Sequence, residues 1–202
     1  MTSPFLTAFS PTSRVDNHAD PELLAKVEAH AAGFADFMTA HGGTTFDQGL
    51  YRVHAAQDIV RWTANVEVAF PGFAQRLVCF GYDWLGRHFA LDQQRLHNDQ
   101  LLVLLLEPGT GEALEVPVTF GAFHDEELVG YRNDALASEF HGQWLASGGA
   151  QPEHHQCVGY TVPLFLGGSD EVSNLELSDL DVYWSICGQT LSSIIAGAQA
   201  SD

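Results

Sequence analysis

The stretch from Phe80 to Asp92 constrains the fold of this chain most strongly. Two apolar runs flank a polar middle that is bounded by Gly81 and Gly86. This pattern predicts a β-hairpin, because apolar runs suit strands and glycine adopts backbone angles that a Cβ forbids. We expect Asp83 to hydrogen-bond the amides of the turn and Asp92 to close the second strand. Turn chemistry of this kind carries no activity by itself.

Hydrophobic periodicity in the first half predicts helices and strands in blocks. Asp20 is a good N-cap for a helix whose apolar residues recur at helical spacing until Gly42 and Gly43. A second helix is predicted over residues 55–69, and residues 101–106 form an apolar run typical of a strand covered on both faces. Because helices and strands do not alternate strictly, the pattern predicts an α+β fold. Its sheet is expected to be mostly antiparallel, with helices packed on one face.

The second half predicts a long helix, further strands and a final helix that begins near Ile186. The helix is expected over residues 125–146, where an acidic first turn suits the helix dipole. Residues 158–166 have the pattern of a strand. Apolar residues alternate over 175–177 and, in the opposite phase, over 180–184. That phase change predicts a bulge or a break at residues 178–179.

The charge balance is strongly acidic. The chain has 26 acidic and eight basic residues, which give a net charge of −18. Charged residues make up only 17% of the chain, so a shortage of basic residues causes the imbalance. Such a chain is expected to repel nucleic acid and to attract basic partners. An ordinary acidic cytosolic surface has the same charge, so charge alone does not identify the partner.

The histidines and cysteines invite a metal or catalytic interpretation that their spacing does not support. No two of the ten histidines stand three or four residues apart, as a ligand pair on a helix requires. His154 and His155 with Cys157 come nearest to a cluster and lack an obvious third ligand. Cys79 and Cys187 lie on apolar runs and are expected in the core. The sequence therefore predicts no metal, no cofactor and no catalytic residues.

The location of the protein is predicted from its apolar runs. The first six residues lack the basic start and apolar stretch of a secretory signal. The longest apolar run, residues 101–106, is far shorter than the roughly 20 residues that a spanning helix needs. We therefore expect a cytoplasmic protein without a membrane partner.

Several short sequence stretches between residues 49 and 112 resemble a known superfamily. The order of Gly81, Asp83, Gly86 and Asp92 around an aromatic residue resembles the central hairpin of the SUKH superfamily, which includes a yeast cell-wall synthesis regulator and many bacterial immunity proteins. The strings at residues 49–52, 80–92 and 106–112 resemble a GAD-related segment. This resemblance implies a SUKH-like fold.

The C-terminal part resembles the C-terminal domain of the Tdi immunity proteins, which are partners of toxins delivered by type VI secretion. The resemblance is carried by residues 162–168, which contain Gly167 and Gly168, and by residues 174–176, 181–184 and 188–189, which include Trp184. Together, the resemblances divide the chain into an N-terminal arm (1–19), a GAD-related part (20–120) and a Tdi-type part (121–202). We expect the last two parts to share one continuous core.

The resemblance implies an immunity protein that binds a cognate toxin in the cytoplasm and blocks it stoichiometrically. A toxin that degrades nucleic acid needs a basic surface, so an acidic partner gains fast and specific association. The candidate contact residues are acidic side chains and aromatic side chains expected to be exposed, namely Asp125, Glu126, Glu127, Asp170, Glu171, Asp179, Asp181, Tyr82, Trp84 and Tyr183. Trp84 and Tyr183 are alternatively core residues.

Two other functions fit the sequence. One is a SUKH-like regulatory or scaffold protein without a toxin partner. The other is an enzyme that binds a small ligand or a metal through the histidine-rich loops.

Overall fold

A computed structural model describes residues 3–199 of the chain, and the side chains of residues 3–194. Its main element is a seven-stranded sheet in which each strand pairs antiparallel with the next along the chain. The strands are β1 (Pro11–Arg14), β2 (Thr44–Phe46), β3 (Tyr51–Val53), β4 (Leu77–Asp83), β5 (His88–His97), β6 (Gln100–Glu107) and β7 (Glu112–Thr119). A second sheet pairs β8 (Gln156–Tyr160) with β9 (Leu175–Asp179).

Helices occupy the segments between the strands and the C-terminal end. They are α1 (Pro4–Ala8), α2 (Pro21–Glu28), α3 (Phe34–His41), α4 (Ile59–Ala69), α5 (Phe120–Ala122), α6 (Leu128–Gly130), α7 (Arg132–Leu136), α8 (Ser138–Ala146) and α9 (Leu180–Gln199). A π-helical turn, Phe123–Glu127, joins α5 to α6. The predicted α+β class is confirmed. No helix within residues 3–199 is long and apolar enough to cross a membrane.

Both faces of the large sheet are covered, whereas the sequence predicted helices on one face. Strand β6 shows this directly, because its side chains alternate between two clusters. Val103 and Leu105 join the cluster that contains residues of α1, α2 and α3. Leu104 and Leu106 join a second cluster with residues of α4 and α9. The prediction failed because the apolar stripes of single helices do not tell which face of the sheet each helix covers.

The N-terminal arm predicted for residues 1–19 is, over its described residues, part of the fold. Phe5 and Phe9 of this segment are fully buried, and their rings stack with centroids 4.7 Å apart. Phe5 also contacts Phe46 and Tyr51 edge-on. Strand β1 then pairs with β2 at the edge of the sheet. The segment has too few apolar residues to show periodicity, yet two aromatic rings are sufficient to anchor it.

The first predicted helix begins where the sequence indicates but breaks in the middle. Asp20 accepts hydrogen bonds from two amides of the first turn of α2, as an N-cap should. The helix stops at Glu28, and α3 begins after Gly33, whose φ is +83°. The carboxylate of Glu28 accepts from the amides of Gly33 and Ala35, both at 2.8 Å. A side chain within the predicted helix therefore caps the next helix.

The long helix predicted over residues 125–146 is a series of short segments. Helix α7 ends at Ala137, which has a left-handed φ of +48°. Two donors from the hairpin take the carbonyls there: the Trp84 ring nitrogen binds the Leu136 oxygen at 3.0 Å, and Arg87 binds the Ala135 oxygen at 3.1 Å. Those carbonyls are satisfied by tertiary contacts, which sequence periodicity cannot reveal.

The break predicted at residues 178–179 is the end of a strand and the start of a helix. Strand β9 ends at Asp179, and α9 begins at Leu180. Residues 180–184 are thus helical and not a second alternating strand. The strand predicted over residues 158–166 is also shorter than expected. It corresponds to β8, which ends at Tyr160.

Candidate partner-binding surface

The central hairpin is built around a buried ion pair in its turn. The Asp83 carboxylate accepts from the amides of Leu85 (3.0 Å) and Arg87 (2.9 Å), as the turn chemistry predicts. Gly86 occupies the left-handed position with a φ of +78°. The Arg87 guanidinium binds the same carboxylate at 2.6 Å, and both side chains are buried. The hairpin tip is therefore rigid, and its two charges neutralise each other.

Burial also affects the acid–base properties of this pair. It raises the pKa of Asp83, although the attraction of the Arg87 guanidinium lowers it in part. The neighbouring Glu107 has a pKa raised by burial too, again opposed by Arg87. Arg87 thus stabilises two carboxylates at once, and this makes it the central charge of the hairpin.

The sequence predicted that Asp92 closes the second strand of the hairpin by accepting from nearby amides; the Gln94 amide donates to it as expected, but the strand does not end there. Strand β5 continues to His97, although its pairing with β6 is irregular between Asp92 and Leu96. The buried Asp92 carboxylate also binds Arg76, whose Nε lies 2.8 Å away. Its partner is a basic residue distant in sequence, so turn chemistry could not identify it.

The hairpin also holds the C-terminal part of the chain. The Trp184 ring nitrogen donates to the Gly86 carbonyl at 2.8 Å, and the Val158 amide donates to the Trp84 carbonyl at 2.7 Å. A Cβ on Gly86 would lie 3.0 Å from the Cβ of Cys157. Glycine is therefore needed both for the backbone angle and for this close approach.

Arg52 of β3 makes a second connection to the C-terminal part. Its guanidinium is fully buried and donates to the main-chain oxygens of Glu153 (2.8 Å), Gln156 and Asp83 (2.7 Å). It also lies over the Tyr82 ring, 4.4 Å from the centroid. The loop before β8 is thus fixed to the large sheet by one side chain.

The remaining motif glycines have close packing or special backbone angles. A Cβ on Gly81 would lie 2.7 Å from the Tyr51 hydroxyl. Gly167 has a φ of +86°, and a Cβ on Gly168 would lie 1.9 Å from the Val162 oxygen. These glycines thus have backbone angles or close contacts that shape the fold.

The aromatic residues proposed as toxin contacts are buried. Trp84 has an exposed fraction of 0%, Tyr82 of 1% and Tyr183 of 6%. The Tyr82 hydroxyl binds the His154 carbonyl, and the Tyr183 hydroxyl accepts from the Tyr160 amide at 3.3 Å. Their expected exposure was wrong, because their polar atoms are satisfied inside the protein and their rings fill the core. The alternative, that Trp84 and Tyr183 are core residues, describes the structure.

The proposed acidic contacts lie at three separate places. At the first, Asp125 accepts from the Ser3 hydroxyl and from the Phe5 amide (3.2 Å), so it caps α1. Glu126 beside it is exposed, and Glu127 is half-buried. These three acidic residues lie on the side of the large sheet that packs against α1, α2 and α3.

The second and third places lie at opposite ends of the small sheet. Asp170, beside the exposed Glu171, accepts from the Tyr160 hydroxyl at 2.6 Å, at the end of β8. Asp179 pairs with Gln156 at the other end. These ends are about 13 Å apart at about 3.3 Å per residue, so the two acids do not form one patch.

The basic residues are largely occupied inside the molecule. Five of the eight form ion pairs with carboxylates within the described residues: Arg61 with Asp58 and Asp181, Arg76 with Asp92, Arg87 with Asp83, Arg95 with Glu115, and Arg132 with Asp47. Arg14 and Arg52 donate to main-chain oxygens. Most of the positive charge is therefore compensated internally, and the surface is left strongly negative.

That negative charge is concentrated towards the C-terminal end. Residues 119–190 contain eleven of the 26 acidic residues but only one of the eight basic residues, Arg132. Arg132 itself pairs with Asp47 at 2.5 Å. This segment is therefore the most acidic part of the molecule.

Helices α4 and α9 present exposed apolar residues that the sequence did not single out. The two helices pack together where Gly188 lies against Ala69. Outward-facing Val60 and Val68 of α4 and Val182 and Ile186 of α9, together with the intervening surface of both helices, are here called the α4–α9 face. On α4, both valines lie outside the apolar stripe that predicted the helix. Apolar residues on the face opposite that stripe are the sequence signal that could have identified them.

One end of the α4–α9 face is charged. The Asp181 carboxylate binds Arg61 at 2.7 Å and Asn65 at 2.6 Å, which ties α9 to α4. Asp179 accepts from the Val182 amide at 3.1 Å and caps α9. Of the predicted acidic contacts, these two border the apolar surface.

Four of the ten histidines, His54, His88, His124 and His141, are buried among aromatic rings, whereas His154 is half-buried and His155 is exposed. His54 stacks on Tyr82, with centroids 4.6 Å apart, and on His88 at 5.0 Å. Burial lowers the pKa of His54 well below its usual value and that of His88 to about 3. Within the described side chains, no three His, Cys, Asp or Glu residues are grouped to hold a metal ion.

The three cysteines are buried and unpaired with one another. Burial raises the pKa of Cys79 to about 12 and that of Cys187 to about 11. It also raises the pKa of Cys157. Since the thiolate is the nucleophile, these thiols are unreactive at neutral pH.

Comparison with known families identifies the acidic C-terminal segment. Residues 119–190 match the family T6SS immunity protein Tdi1, C-terminal. This Tdi1-type segment includes α5 to α8, the small sheet and the first half of α9. The match supports an immunity role and, with it, binding of a cognate toxin. The SUKH and GAD-related resemblances of the residues upstream remain predictions.

A solved structure shares the overall fold. The structure titled "Crystal structure of Atu4351 from Agrobacterium tumefaciens" superposes with a TM-score of 0.62 at 15% sequence identity. The similarity covers 94% of this chain and 89% of that chain, so it includes the large sheet as well as the Tdi1-type segment. No curated protein sequence matches the chain.

Proposed function

We propose that this protein is an immunity protein that binds the cognate toxin of a type VI secretion system in the cytoplasm and blocks it. The observation that carries the proposal is the family match over residues 119–190. The proposed inhibition is stoichiometric and non-catalytic: the protein occupies a surface of the toxin and does not convert a substrate.

The charge distribution supports a basic partner. The Tdi1-type segment holds eleven acidic residues and one basic residue, and that basic residue is paired. Opposite charge speeds association of two proteins and suppresses binding to wrong partners. A toxin that degrades nucleic acid carries a basic surface to hold its substrate, so we propose a nuclease toxin. The acidic protein itself repels nucleic acid.

The buried chemistry agrees with a binding role. The thiols are protonated, the hairpin ion pair is satisfied internally, and the buried histidines stack on aromatic rings. The three cysteines and the buried histidines are thus used for packing.

The test is co-expression with a candidate toxin encoded by a gene that neighbours the one for this chain. We expect growth to be rescued and the two proteins to co-purify as a stable complex. With purified proteins and plasmid DNA as the nuclease substrate, the remaining toxin activity should fall linearly with added protein and reach zero at a fixed molar ratio.

The stoichiometry separates the proposal from its alternatives. Complete inhibition at a small fraction of the toxin concentration would indicate an enzyme that modifies the toxin. Absence of both rescue and co-purification would contradict the immunity role and leave the scaffold function. A toxin that is inhibited but does not digest nucleic acid would overturn the nuclease assignment alone.

A further inference from the structure

We infer that the α4–α9 face is the surface that binds the toxin, and that the toxin segment seated on it is basic on one side and apolar on the other. This inference rests on the proposed function and names the surface and the partner chemistry. It joins two features of the structure, an exposed apolar area and the acidic residues at one end of it.

The apolar side chains of the face are largely exposed to solvent. Val60 and Val68 have exposed fractions of 65% and 75%, and Val182 and Ile186 of 54% and 58%. Residues four apart are neighbours on a helix, so Val182 and Ile186 adjoin, and Ala64 links Val60 to Val68. Each of the two packed helices thus carries a row of exposed apolar residues, a feature typical of protein-binding surfaces.

The face is shaped to receive side chains. Helix α4 forms a ridge between two grooves. The smaller groove, of about 190 Å³, lies between α4 and α9 and is lined by Val68, Asp181 and Ser185, among others. The larger groove, of about 810 Å³, lies between α4 and α2, and Val60 and Leu96 line it. A helical or extended partner segment could place apolar side chains on either side of this ridge.

The charged residues at the face indicate that the partner is basic and how it is oriented on the face. At the α9 end, Arg61 is already bound by Asp58 and Asp181. Asp179 is exposed at the junction of β9 with α9. The net charge of this end is negative, so it attracts basic residues.

The opposite side of the larger groove has a different character. Its wall on α2 carries Lys26, the single lysine of the chain, and His30. A basic segment should therefore direct its positive residues towards Asp179 and Asp181 at the start of α9, away from Lys26. This orientation follows from the position of a single charge and can be tested by mutation.

The experiment introduces positive charge into the face and measures toxin binding. Val68→Arg and Ile186→Arg replace exposed apolar residues by a good helix former that repels a basic partner. Leu166→Arg is the matched control, because Leu166 is 52% exposed but lies in the turn Leu164–Leu166, outside the face. Circular dichroism and thermal unfolding establish that all three variants fold as the wild type does.

We expect Val68→Arg and Ile186→Arg each to weaken toxin binding at least about tenfold, as interface residues at the centre of a contact do. Leu166→Arg should bind within about twofold of the wild type. A further variant, Lys26→Glu, should bind within about twofold of the wild type, because the basic residues of the partner lie away from this groove; clearly tighter binding would contradict that orientation.

The outcomes separate this inference from the function on which it rests. If the wild-type protein does not bind or neutralise the toxin, the proposed function is wrong. If the wild type binds and both variants of the face bind equally well, the toxin docks elsewhere, and the inference alone is overturned. Equal weakening by Leu166→Arg would also overturn it, because the effect would then be one of overall charge.

Discussion

Replacing Asp83 by asparagine tests whether the ion pair in the hairpin turn stabilises the whole fold. One carboxylate oxygen of Asp83 accepts from the amides of Leu85 and Arg87, and the other binds the Arg87 guanidinium at 2.6 Å. Asparagine keeps the first set of hydrogen bonds. Its amide group, however, meets the guanidinium as a second donor, so Arg87 loses its hydrogen-bonded counter-charge and keeps only the weaker attraction of Glu107.

The expected loss follows from the burial of the pair. The Asp83 side chain is 0% exposed and that of Arg87 is 9% exposed. Removing one partner of a buried ion pair costs about 3–5 kcal/mol, because the other charge is left uncompensated. Since small domains unfold with about 5–15 kcal/mol, Asp83→Asn should lose a large part of the stability of the protein.

A matched pair on the surface provides the control. Arg95 lies 3.2 Å from the Glu115 carboxylate, but Glu115 is 71% exposed. Solvent screens such a pair, so Glu115→Gln should cost no more than about 1 kcal/mol. The double variant Asp83→Asn/Arg87→Met removes both buried charges and should recover part of the loss.

Urea unfolding followed by tryptophan fluorescence measures these free energies, since Trp84 and Trp184 are buried beside the hairpin. The slopes of the transitions should agree among the variants. The reasoning is refuted if Asp83→Asn destabilises the protein no more than Glu115→Gln does. Recovery in the double variant would support the uncompensated charge as the cause, because it would outweigh the added loss of the Arg87 contacts with Glu107 and the Ala135 oxygen.

Two further predictions concern the backbone and pH. Gly86→Ala should destabilise the protein by about 2 kcal/mol or more, because φ is +78° and the new Cβ would lie 3.0 Å from Cys157. Gly148→Ala, with a φ of +91° and no atom within 4 Å of the new Cβ, measures the backbone part alone in the same urea experiment. His54→Phe should reduce the loss of stability between pH 7 and pH 5 by about 2 kcal/mol, measured by urea unfolding at each pH. Burial lowers the pKa of His54 well below its ordinary value of 6.5. Below pH 6.5 the unfolded chain therefore binds a proton that the folded protein does not, and stability is lost as the pH falls below 6.5. An unchanged pH dependence would show that the buried imidazole is not responsible.

The parts of the fold that depend on local chemistry could be predicted from the sequence. The hairpin turn, the Asp20 cap and the doubly covered strand β6 rest on contacts within a few residues or on the residue types of one run. The helix predicted over residues 55–69 forms as α4 after a short turn.

Other parts depend on contacts between distant segments. Helix α7 ends because Trp84 and Arg87 occupy its last carbonyls, and these residues lie about fifty positions away in the chain. The same applies to Asp92, which binds Arg76 across the sheet. The hydrophobic periodicity of the sequence carries no information about such distant partners. The predicted long helix and the predicted strand end at Asp92 were therefore wrong.

The candidate site was only partly accessible to sequence reasoning. Its acidic character follows from composition, and Asp179 and Asp181 do border the α4–α9 face. The aromatic contacts failed, because a tyrosine or tryptophan has both the size for a core and the polarity for a surface. Burial decides between these roles, and burial depends on the assembled fold.

The connection made by Arg52 has a consequence for how this protein can change over generations. The guanidinium binds main-chain oxygens at Glu153, Gln156 and Asp83, and every amino acid supplies such an oxygen. Substitutions in the loop therefore leave the joint intact as long as its backbone path is kept. An immunity protein that must follow a mutating toxin could thus vary its outer side chains freely while the attachment of its two halves is inherited unaltered.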